Sequence, residues 1–300
     1  MIYPSVMNQV KKIALFGSGF VGSNLANALL SSGYQVRLVS RQPDSDDDQV
    51  ELVAGNIVTG ESLSEAVNSA DAVINAVGII EESGKNSFDA VHHQGVVNLI
   101  DACRKNNVDR FVLISALGVG IHHGIDYFDS KYKGEQALID SGLNFVIFRP
   151  STIFGPGDGF VSMLAKYIKP APAFPVFGDG GYKMQPVSVH NLADAVAQSV
   201  TPGKWDNKIY SACGPRQYEY IDIIKMIADA LNRKILIPKI PFGLVLPIIK
   251  FADSLNIPTP ATADQLKMLR LGSVCPDNEF QRDFELDLKD FEAGIREYLR

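Results

Sequence analysis

The sequence contains few of the residues that build metal centres or disulfide frameworks. Its 300 residues include three cysteines and five histidines. Cys103, Cys213 and Cys275 lie far apart, and no two of them form a CxxC pair. We therefore expect no metal site and no paired cysteines. Unpaired cysteines are typical of a reducing compartment, which favours a cytoplasmic protein.

Positive charge and long apolar segments are also scarce. The chain carries 28 basic and 34 acidic side chains, for a formal net charge of -6. A nucleic-acid binder would show a basic excess, so we expect no nucleic-acid partner. The N-terminal residues lack the apolar run of a signal peptide. The longest apolar region, 235–252, is broken by Lys239 and three prolines, which argues against a transmembrane helix and leaves a protein or membrane-surface partner open.

Short apolar runs alternate with stretches of helical periodicity in the first half of the chain. Runs that are apolar almost throughout are typical of strands buried on both faces of a parallel sheet. The pattern predicts an α/β fold, a Rossmann-type doubly wound parallel sheet with right-handed crossovers. The predicted strands are 12–17, 35–40, 50–56, 71–78, 110–116 and 144–150, and the predicted helices are 20–32, 61–69, 87–106 and 128–141.

The alternation gives way to loops after residue 150, where prolines and glycines occur at turn spacing. Further predicted strands and helices lie at 185–200, 208–214 and 218–231. We predict a dinucleotide-binding Rossmann core at 10–155 and a small C-terminal lobe at 156–300. This lobe is interleaved with the last Rossmann elements at about 186–214, and we expect it to bind a substrate or a partner.

A glycine-rich turn joins the first predicted strand to the first predicted helix. Gly17, Gly19 and Gly22 form the pattern GxGxxG. The first glycine permits a tight turn, the second lets backbone approach a pyrophosphate, and the third lets helix and strand pack closely. Free N–H groups at the helix start face the phosphates. In this βαβ context we predict that a dinucleotide lies against Gly17, Ser18, Gly19, Phe20, Val21 and Gly22.

The end of the second predicted strand indicates which dinucleotide is bound. Proteins that bind NAD usually have Asp or Glu here, to hold the ribose 2′-hydroxyl. This chain has Ser40 and Arg41 instead. A guanidinium can neutralise and hold a 2′-phosphate, although an arginine beside the acidic loop 44–48 is also an ordinary surface residue. We predict NADP(H) as the cofactor, with NAD(H) as the alternative.

Tyr127 and Lys131 lie four residues apart and share one face of a predicted helix. An ammonium beside a phenol lowers the pKa of the phenol and makes it a usable proton donor or acceptor. The pair follows the fifth predicted strand, where such a sheet delivers residues to the nicotinamide end of a cofactor. We predict that Tyr127 and Lys131 are catalytic, with Ser115 as a second hydrogen-bond donor.

Taken together, these motifs resemble the short-chain dehydrogenase/reductase superfamily in its extended form. The glycine loop, the YxxxK pair, and the segments NAVG (75–78), RPSTIFGPGD (149–158) and PVSVHNLADAV (186–196) follow the order and spacing of that family. Residues 88–118, 126–135 and 262–269 are similar, more narrowly, to the atypical branch that includes the nucleotide-binding accessory subunit of respiratory complex I. The resemblance covers nearly the whole chain. It implies a Rossmann domain, a small C-terminal lobe and bound NADP(H).

The resemblance also implies cofactor contacts beyond the glycine loop. The residues concerned are Ser40, Arg41, Asn56, Ala76, Val77, Gly78, His92, Ser115, Tyr127, Lys131, Pro150 and Thr152. Four features depart from the family's pattern. The glycine loop is one residue tighter than the GxxGxxG that extended members usually show. Asn56 stands where an Asp often meets adenine, His92 stands where the active-site Asn is usual, and Ala116 stands where the catalytic Ser or Thr is usual.

Two functions are compatible with these residues. The first is an NADP(H)-dependent oxidoreductase or epimerase-like enzyme, acting on a nucleotide-sugar or on a quinone-like or lipid-like molecule. The retained Tyr127–Lys131 pair favours it. The second is a non-catalytic protein that holds NADP(H) for assembly or sensing, which the replaced family residues at His92 and Ala116 favour. We predict the enzyme and keep the second function as the alternative.

Overall fold

The computed structural model describes residues 10–43, 48–244 and 263–299, and its main feature is one seven-stranded sheet. The strands are β1 (Lys12–Phe16), β2 (Gln35–Ser40), β3 (Val50–Ala54), β4 (Ala72–Asn75), β5 (Arg110–Ile114), β6 (Asn144–Pro150), β7 (Ile153–Phe154), β8 (Val176–Phe177), β9 (Lys183–Met184), β10 (Val187–Ser188), β11 (Lys208–Ala212), β12 (Tyr218–Glu219) and β13 (Lys239–Ile240). The order across the sheet is β11-β6-β5-β4-β1-β2-β3. Neighbouring strands from β3 through β6 pair in parallel. This is the strand order of dinucleotide-binding sheets, so the predicted fold class is confirmed.

Helices follow the strands in the alternation that the sequence predicts. They are α1 (Phe20–Ser31), α2 (Leu63–Val67), α3 (Gly95–Lys105), α4 (Asp126–Ile139), α5 (Val161–Ile168), α6 (Val189–Ser199), α7 (Tyr220–Ala230), α8 (Ala263–Leu271), α9 (Glu279–Asp283) and α10 (Phe291–Tyr298). The predicted helix 87–106 starts with a π-helical turn, Asp89–Gln94, that runs directly into α3. Across the described residues, no helix is both long and apolar enough to cross a membrane.

The chain divides into two compact units, each with its own core. The first unit contains the described residues up to Arg149 together with Ala193–Tyr210. Its core is built from side chains of the sheet and of the helices that follow its strands, among them Phe16, Leu99, Phe111 and Leu138. These strands are nearly continuously apolar because both of their faces are covered.

The second unit contains Pro150–Leu192 and the described residues from Ser211 onward. Its core joins α5, α7 and α10 through aromatic and branched side chains such as Phe154, Ile227 and Phe291. The rings of Phe154 and Phe291 pack edge to face, with centroids 5.1 Å apart. Short two-stranded pairings, β10 with β7, β12 with β9 and β13 with β8, connect the loops of this unit.

The expectation of unpaired cysteines is wrong. Cys213 and Cys275 form a disulfide within the second unit, with Cα atoms 6.0 Å apart. The two residues are 62 positions apart in sequence, and only the folded path of the second unit brings them together. Cys103 is free and buried in the first unit. The cytoplasmic location therefore loses the support that we drew from the cysteines.

Candidate active site

The GxGxxG turn has the tight geometry of a dinucleotide loop. Gly17 follows β1 with a φ of +109°, which side chains rarely adopt. A Cβ on Gly22 would overlap the carbonyl oxygen of Gly17, so α1 packs directly against the turn. A Cβ on Gly17 would lie 3.1 Å from the carbonyl carbon of Ala76, in the loop after β4. Local packing alone therefore requires glycine at positions 17 and 22.

Gly19 differs from its neighbours because the space beside it is open. Apart from Gly19 itself and its neighbours along the chain, no described heavy atom lies within 4 Å of the position that its Cβ would occupy. Gly19 is also the N-cap of α1, whose first turn has no capping side chain and no acidic residue. The unpaired N–H groups of this turn carry the positive end of the helix dipole. The loop Gly17–Gly22, with Ser18, Phe20 and Val21 half-buried in it, therefore fits a pyrophosphate.

Ser40 and Arg41 lie at the end of β2, beside the glycine turn. The backbone N–H of Gly17 donates to the carbonyl of Val39 at 2.9 Å, which holds the turn against this strand end. The Oγ atom of Ser40 is buried and has no hydrogen-bond partner among the described residues. Arg41 is exposed and makes no ion pair within the described ranges. A buried hydroxyl without a partner is unfavourable, and a ribose or phosphate oxygen would satisfy it.

The loops after β3 and β4 contain the next predicted contacts. Asn56 accepts a hydrogen bond from the N–H of Val58 at 2.9 Å and so closes a turn after β3. Ala76, Val77 and Gly78 directly follow β4. The N–H of Val77 donates to the side chain of the buried Asn75 at 3.0 Å. Asn75 thus shapes the loop 76–78, which is predicted to contact the cofactor. No role for Asn75 was predicted from the sequence.

Tyr127 and Lys131 lie on consecutive turns at the start of α4. The Nζ atom of Lys131 is 5.5 Å from the centroid of the Tyr127 ring. It also faces the loop after β4, since a Cβ on Gly78 would lie 3.6 Å away from it. Burial lowers the pKa of Lys131 to about 8, against an opposing effect of the Glu135 carboxylate.

The protonation of Tyr127 differs from the expectation. From the sequence, we expect the Lys131 ammonium to lower the pKa of the phenol. Burial instead raises the pKa of Tyr127 above its ordinary value, because a charged phenolate is poorly solvated there. The side chain is therefore a neutral phenol near pH 7, which suits it to donate a proton.

His92 is held by hydrogen bonds on both ring nitrogens. Its Nε2 atom accepts the N–H of Ile79 at 3.1 Å, and its Nδ1 atom lies 3.0 Å from the Oγ of Ser130. Because Nε2 accepts, the proton of the neutral ring is on Nδ1 and is donated to Ser130. Ser130 in turn donates to the carbonyl of Tyr127 at 3.0 Å. Burial, assisted by the nearby Lys131 ammonium, lowers the pKa of His92 to about 2.

The helices around His92 approach each other closely. A Cβ on Gly134 would overlap the carbonyl oxygen of His92, so α4 packs against the π-helical turn at this glycine. The rings of His92 and Tyr127 meet edge to face, with centroids 5.4 Å apart. His92 therefore positions the loop after β4 and the first turns of α4. A direct contact of His92 with the cofactor stays a prediction.

Ser115 belongs to a buried ionic cluster that the sequence analysis missed. Its hydroxyl donates to the carboxylate of Glu135, which is fully buried. The guanidinium of Arg149 binds the same carboxylate through Nη2, and its Nε atom lies 3.0 Å and 3.2 Å from the two carboxylate oxygens. Glu135 lies one turn after Lys131 in α4, a spacing that gives the only sequence signal for this cluster.

Four of the predicted residues of the first unit, Val77, His92, Ser115 and Lys131, converge on one pocket. Asn75, Val96, Leu113 and Ile114 also line this small pocket. Pro150 and Thr152 lie in the second unit: Pro150 ends β6 and is buried, and Thr152 is half-buried before β7. The carbonyl of Thr152 accepts the N–H of Val187 at 2.9 Å. Their contact with a cofactor stays a prediction.

Comparison with known proteins agrees with this geometry. A family model described as NAD(P)H-binding matches residues 17–171, which begin at the glycine turn and make up more than half of the chain. The chain belongs to the NAD(P)H-binding family. A nicotinamide dinucleotide is therefore its cofactor class, as predicted.

Two relatives illustrate the range of this family. The chain is 24% identical over 294 residues to the mitochondrial subunit 9 of the NADH dehydrogenase (ubiquinone) 1 alpha subcomplex of Arabidopsis thaliana, covering 91% of this chain and 73% of that protein. It is 29% identical over 193 residues to a ceramide reductase of Caulobacter vibrioides, covering 63% of this chain and 59% of that protein. The resemblance that the sequence analysis proposed is confirmed.

A solved structure of the same fold extends the comparison. MoeE5 in complex with UDP-glucose and NAD superposes with a TM-score of 0.74, at 16% identity, over 96% of this chain and 97% of that chain. At this identity the likeness concerns the fold alone. It agrees with the α/β fold described above.

Proposed function

We propose that the protein is an NADP(H)-dependent oxidoreductase that reduces a carbonyl compound, with Tyr127 as the proton donor. The observation that carries the proposal is the position of the Lys131 Nζ atom, 5.5 Å from the Tyr127 ring centroid and facing Gly78 in the loop after β4. A bound nicotinamide supplies hydride when it is reduced. A carbonyl carbon that accepts hydride leaves charge on its oxygen, and a protonated phenol can neutralise that charge.

The charges of the site support the reducing direction. Burial raises the pKa of Tyr127, so the phenol keeps its proton near pH 7 and can give it away. Lys131, with a pKa of about 8, is largely an ammonium at the same pH. It lies beside the ring and stabilises the phenolate that proton donation leaves behind. In this proposal Lys131 also binds the cofactor ribose, since its amine faces the loop after β4.

The preference for NADP(H) over NAD(H) rests on the end of β2. The exposed Arg41, which makes no ion pair with a residue that the structure describes, supplies a guanidinium where an acidic residue would repel a 2′-phosphate. The Oγ of Ser40, without a partner among the same residues, supplies a hydrogen-bond donor beside it. The substrate is a carbonyl compound of either class foreseen from the sequence, a nucleotide-sugar that carries a keto group or a quinone-like or lipid-like molecule. Relatives of both kinds support this choice, since one reduces ceramide by its name and a structural neighbour binds UDP-glucose.

A second function is favoured by one specific observation. The hydroxyl of Ser115 has a single proton, and that proton is donated to Glu135. Ala116 adds no hydroxyl, so the family's second hydrogen-bond donor to the substrate has no replacement among these residues. A protein that holds NADP(H) without turnover needs no such donor. The relationship to a subunit of NADH dehydrogenase in Arabidopsis thaliana supports this alternative.

Replacement of Tyr127 by Phe separates the two functions. We expect Tyr127→Phe to bind NADPH as the unmodified protein does, and to lose turnover by about 10²–10⁴-fold, the usual loss for a missing general acid. Tyr132→Phe is the matched control, because Tyr132 lies on the same helix and is exposed. NADPH binding is followed by fluorescence and NADPH oxidation by absorbance, with nucleotide-sugars, ketones and quinones as substrates.

The outcomes distinguish the candidates. Turnover that survives Tyr127→Phe on a substrate of the unmodified protein refutes the role of Tyr127. Tight NADPH binding with no oxidation of any compound in the panel supports the holding function instead. Failure to bind either NADPH or NADH contradicts both candidates.

A further inference from the structure

One exposed face of α5, in the second unit, is apolar and basic. Met163, Lys166 and Tyr167 recur at helical spacing and are exposed, as is Pro170 just after the helix, whereas Leu164 and Ile168 on the other face are buried. A solvated helix face usually carries charges of both signs. This face has no acidic residue, and its large side chains are a methionine and a tyrosine that are 40% and 46% exposed.

The segment that follows α7 lies beside the segment that follows α5. The N–H of Leu236 donates to the carbonyl of Pro172 at 3.0 Å, and the N–H of Phe174 donates to the carbonyl of Leu236 at 2.9 Å. The helices α5 and α7 also share the core of this unit. The side chain of Leu236 is 73% exposed although its backbone is paired on both sides. Its exposure is therefore built into the fold of this segment.

Four cations lie on the same two segments as these apolar side chains. Lys166 and Lys169 lie at the end of α5, and Arg233 and Lys234 lie just after α7. All four are exposed, and none forms an ion pair with a residue that the structure describes. The nearest acidic residue along these two segments is Asp229, in the last turn of α7. We call Lys166, Tyr167, Lys169, Arg233, Lys234 and Leu236 the basic patch.

The net charge makes the basic patch unusual for this chain. The whole sequence has a net charge of -6, yet residues 160–178 contain no Asp or Glu and residues 230–244 contain none either. Charge separated in this way produces a local positive field on an acidic protein. The apolar side chains inside that field distinguish it from a surface that is merely solvated.

We propose that the basic patch binds a membrane surface that carries anionic lipid headgroups. The four cations match the charge of the headgroups, and the side chains of Leu236 and Tyr167 are placed to enter the interfacial layer between them. A leucine exposed among lysines and arginines fits this surface better than it fits a nucleic acid, which offers the cations phosphates but gives an aliphatic side chain no apolar layer to enter. The proposal does not depend on the proposed oxidoreductase activity.

Vesicle co-sedimentation of the full chain tests the proposal. We expect binding to vesicles of phosphatidylcholine mixed with an equal part of phosphatidylglycerol, little binding to phosphatidylcholine alone, and release by salt. The double variant Arg233→Glu/Lys234→Glu should weaken binding at least about 25-fold, about fivefold for each cation, since each contributes about 1 kcal/mol near an anionic surface. Leu236→Gln, which keeps the charge, should weaken it about tenfold, or about 1.4 kcal/mol.

Control variants separate the effect of the basic patch from the effects of total charge and of unfolding. Lys85→Glu/Lys105→Glu removes the same charge from exposed positions of the first unit and should bind vesicles nearly as the unmodified protein does, allowing for weak long-range repulsion. Thermal unfolding and NADPH binding should be unchanged in the variants of the basic patch. The proposal is overturned by a lack of binding to anionic vesicles or by equal binding of the Arg233→Glu/Lys234→Glu variant. Tighter binding to polyglutamate than to the vesicles also overturns it, because an acidic protein is then the better occupant.

Discussion

The hydroxyl of Ser115 donates its proton to the carboxylate of Glu135, and Arg149 binds that carboxylate as well. Glu135 is fully buried, so its charge depends on these two partners for compensation. The cluster ties the end of β5 to α4 and to the end of β6. It fixes the orientation of Ser115 and leaves only the lone pairs of its oxygen for a ligand.

A first prediction follows for Ser115→Ala. We expect turnover to change by less than about threefold, while the free energy of unfolding falls by about 1.5–3 kcal/mol, the usual value for a hydrogen bond to a charged group. Urea denaturation and NADPH oxidation measure the two effects. Ser162→Ala, at a half-buried position in the second unit, is the control. A large loss of turnover with unchanged stability would show that Ser115 donates to the substrate after all.

A second prediction concerns two glycines of the same turn. Gly19→Ala should fold normally, because the space beside Gly19 is open and its φ is -79°. It should nevertheless weaken both NADPH and NADH at least about tenfold, because the new methyl group occupies the space that a pyrophosphate needs. Gly22→Ala should instead destabilise the fold by about 3 kcal/mol through overpacking against Gly17. Calorimetry and thermal unfolding compare the two variants. Normal NADPH affinity in Gly19→Ala contradicts the position assigned to the phosphates.

A third prediction concerns the choice of cofactor. The protein should bind NADPH at least about tenfold more tightly than NADH, a difference of about 1.4 kcal/mol. Arg41→Ala should remove most of this difference by weakening NADPH and leaving NADH unchanged. Arg104→Ala, an exposed arginine at the end of α3, should leave both affinities as they are. Equal affinities for the two dinucleotides in the unmodified protein would refute the prediction.

A fourth prediction concerns the pH dependence of binding. The pKa of Lys131 is lowered from 10.5 to about 8, so its ammonium is lost as the pH rises through 8. An anionic nucleotide binds better beside the ammonium, so the affinity for NADPH should fall about tenfold between about pH 7 and pH 10. Lys131→Arg keeps its charge throughout this range and should remove the dependence. Lys133→Met, on the same helix, should retain the pH dependence. If the NADPH affinity of the unmodified protein does not change with pH, Lys131 does not have the role assigned to it.

Lys131 also affects the free energy of unfolding, which should rise with pH where the affinity for NADPH falls. The unfolded chain retains the lysine proton up to about pH 10.5, whereas the folded protein releases it at about 8. Between these values the unfolded state binds more protons. Lys131 alone therefore makes the protein more stable as the pH rises through this window. Lys131→Met should lack this rise in the free energy of unfolding. Urea denaturation at about pH 8 and at about pH 10.5 measures the difference.

The sequence predicted the geometry of those parts of the candidate site that depend on local spacing. The turn Gly17–Gly22 and the pair Tyr127–Lys131 lie within one or two elements, so their geometry follows from strand and helix periods. The cluster of Ser115, Glu135 and Arg149 was missed because its members come from the residue after β5, from α4 and from β6. Their meeting depends on how those elements pack.

Two further features could not be predicted for related reasons. The π-helical turn Asp89–Gln94 has the same residue pattern as an α-helix, and the close contact of Gly134 with His92 becomes evident only in the packed structure. Cys213 and Cys275 meet through the folding of the second unit, and their spacing matches no motif. Local patterns identify elements, whereas contacts between distant elements depend on the whole chain.

The disulfide between Cys213 and Cys275 closes a covalent ring in the chain that includes α7 and α8. A protease that cuts the backbone once between these cysteines therefore releases no fragment. The cleaved protein would keep its full mass on a denaturing gel without reductant and would separate into two pieces only after reduction. The ring also contains Arg233, Lys234 and Leu236. After a cut beside these three residues, the disulfide would still link them covalently to the rest of the second unit.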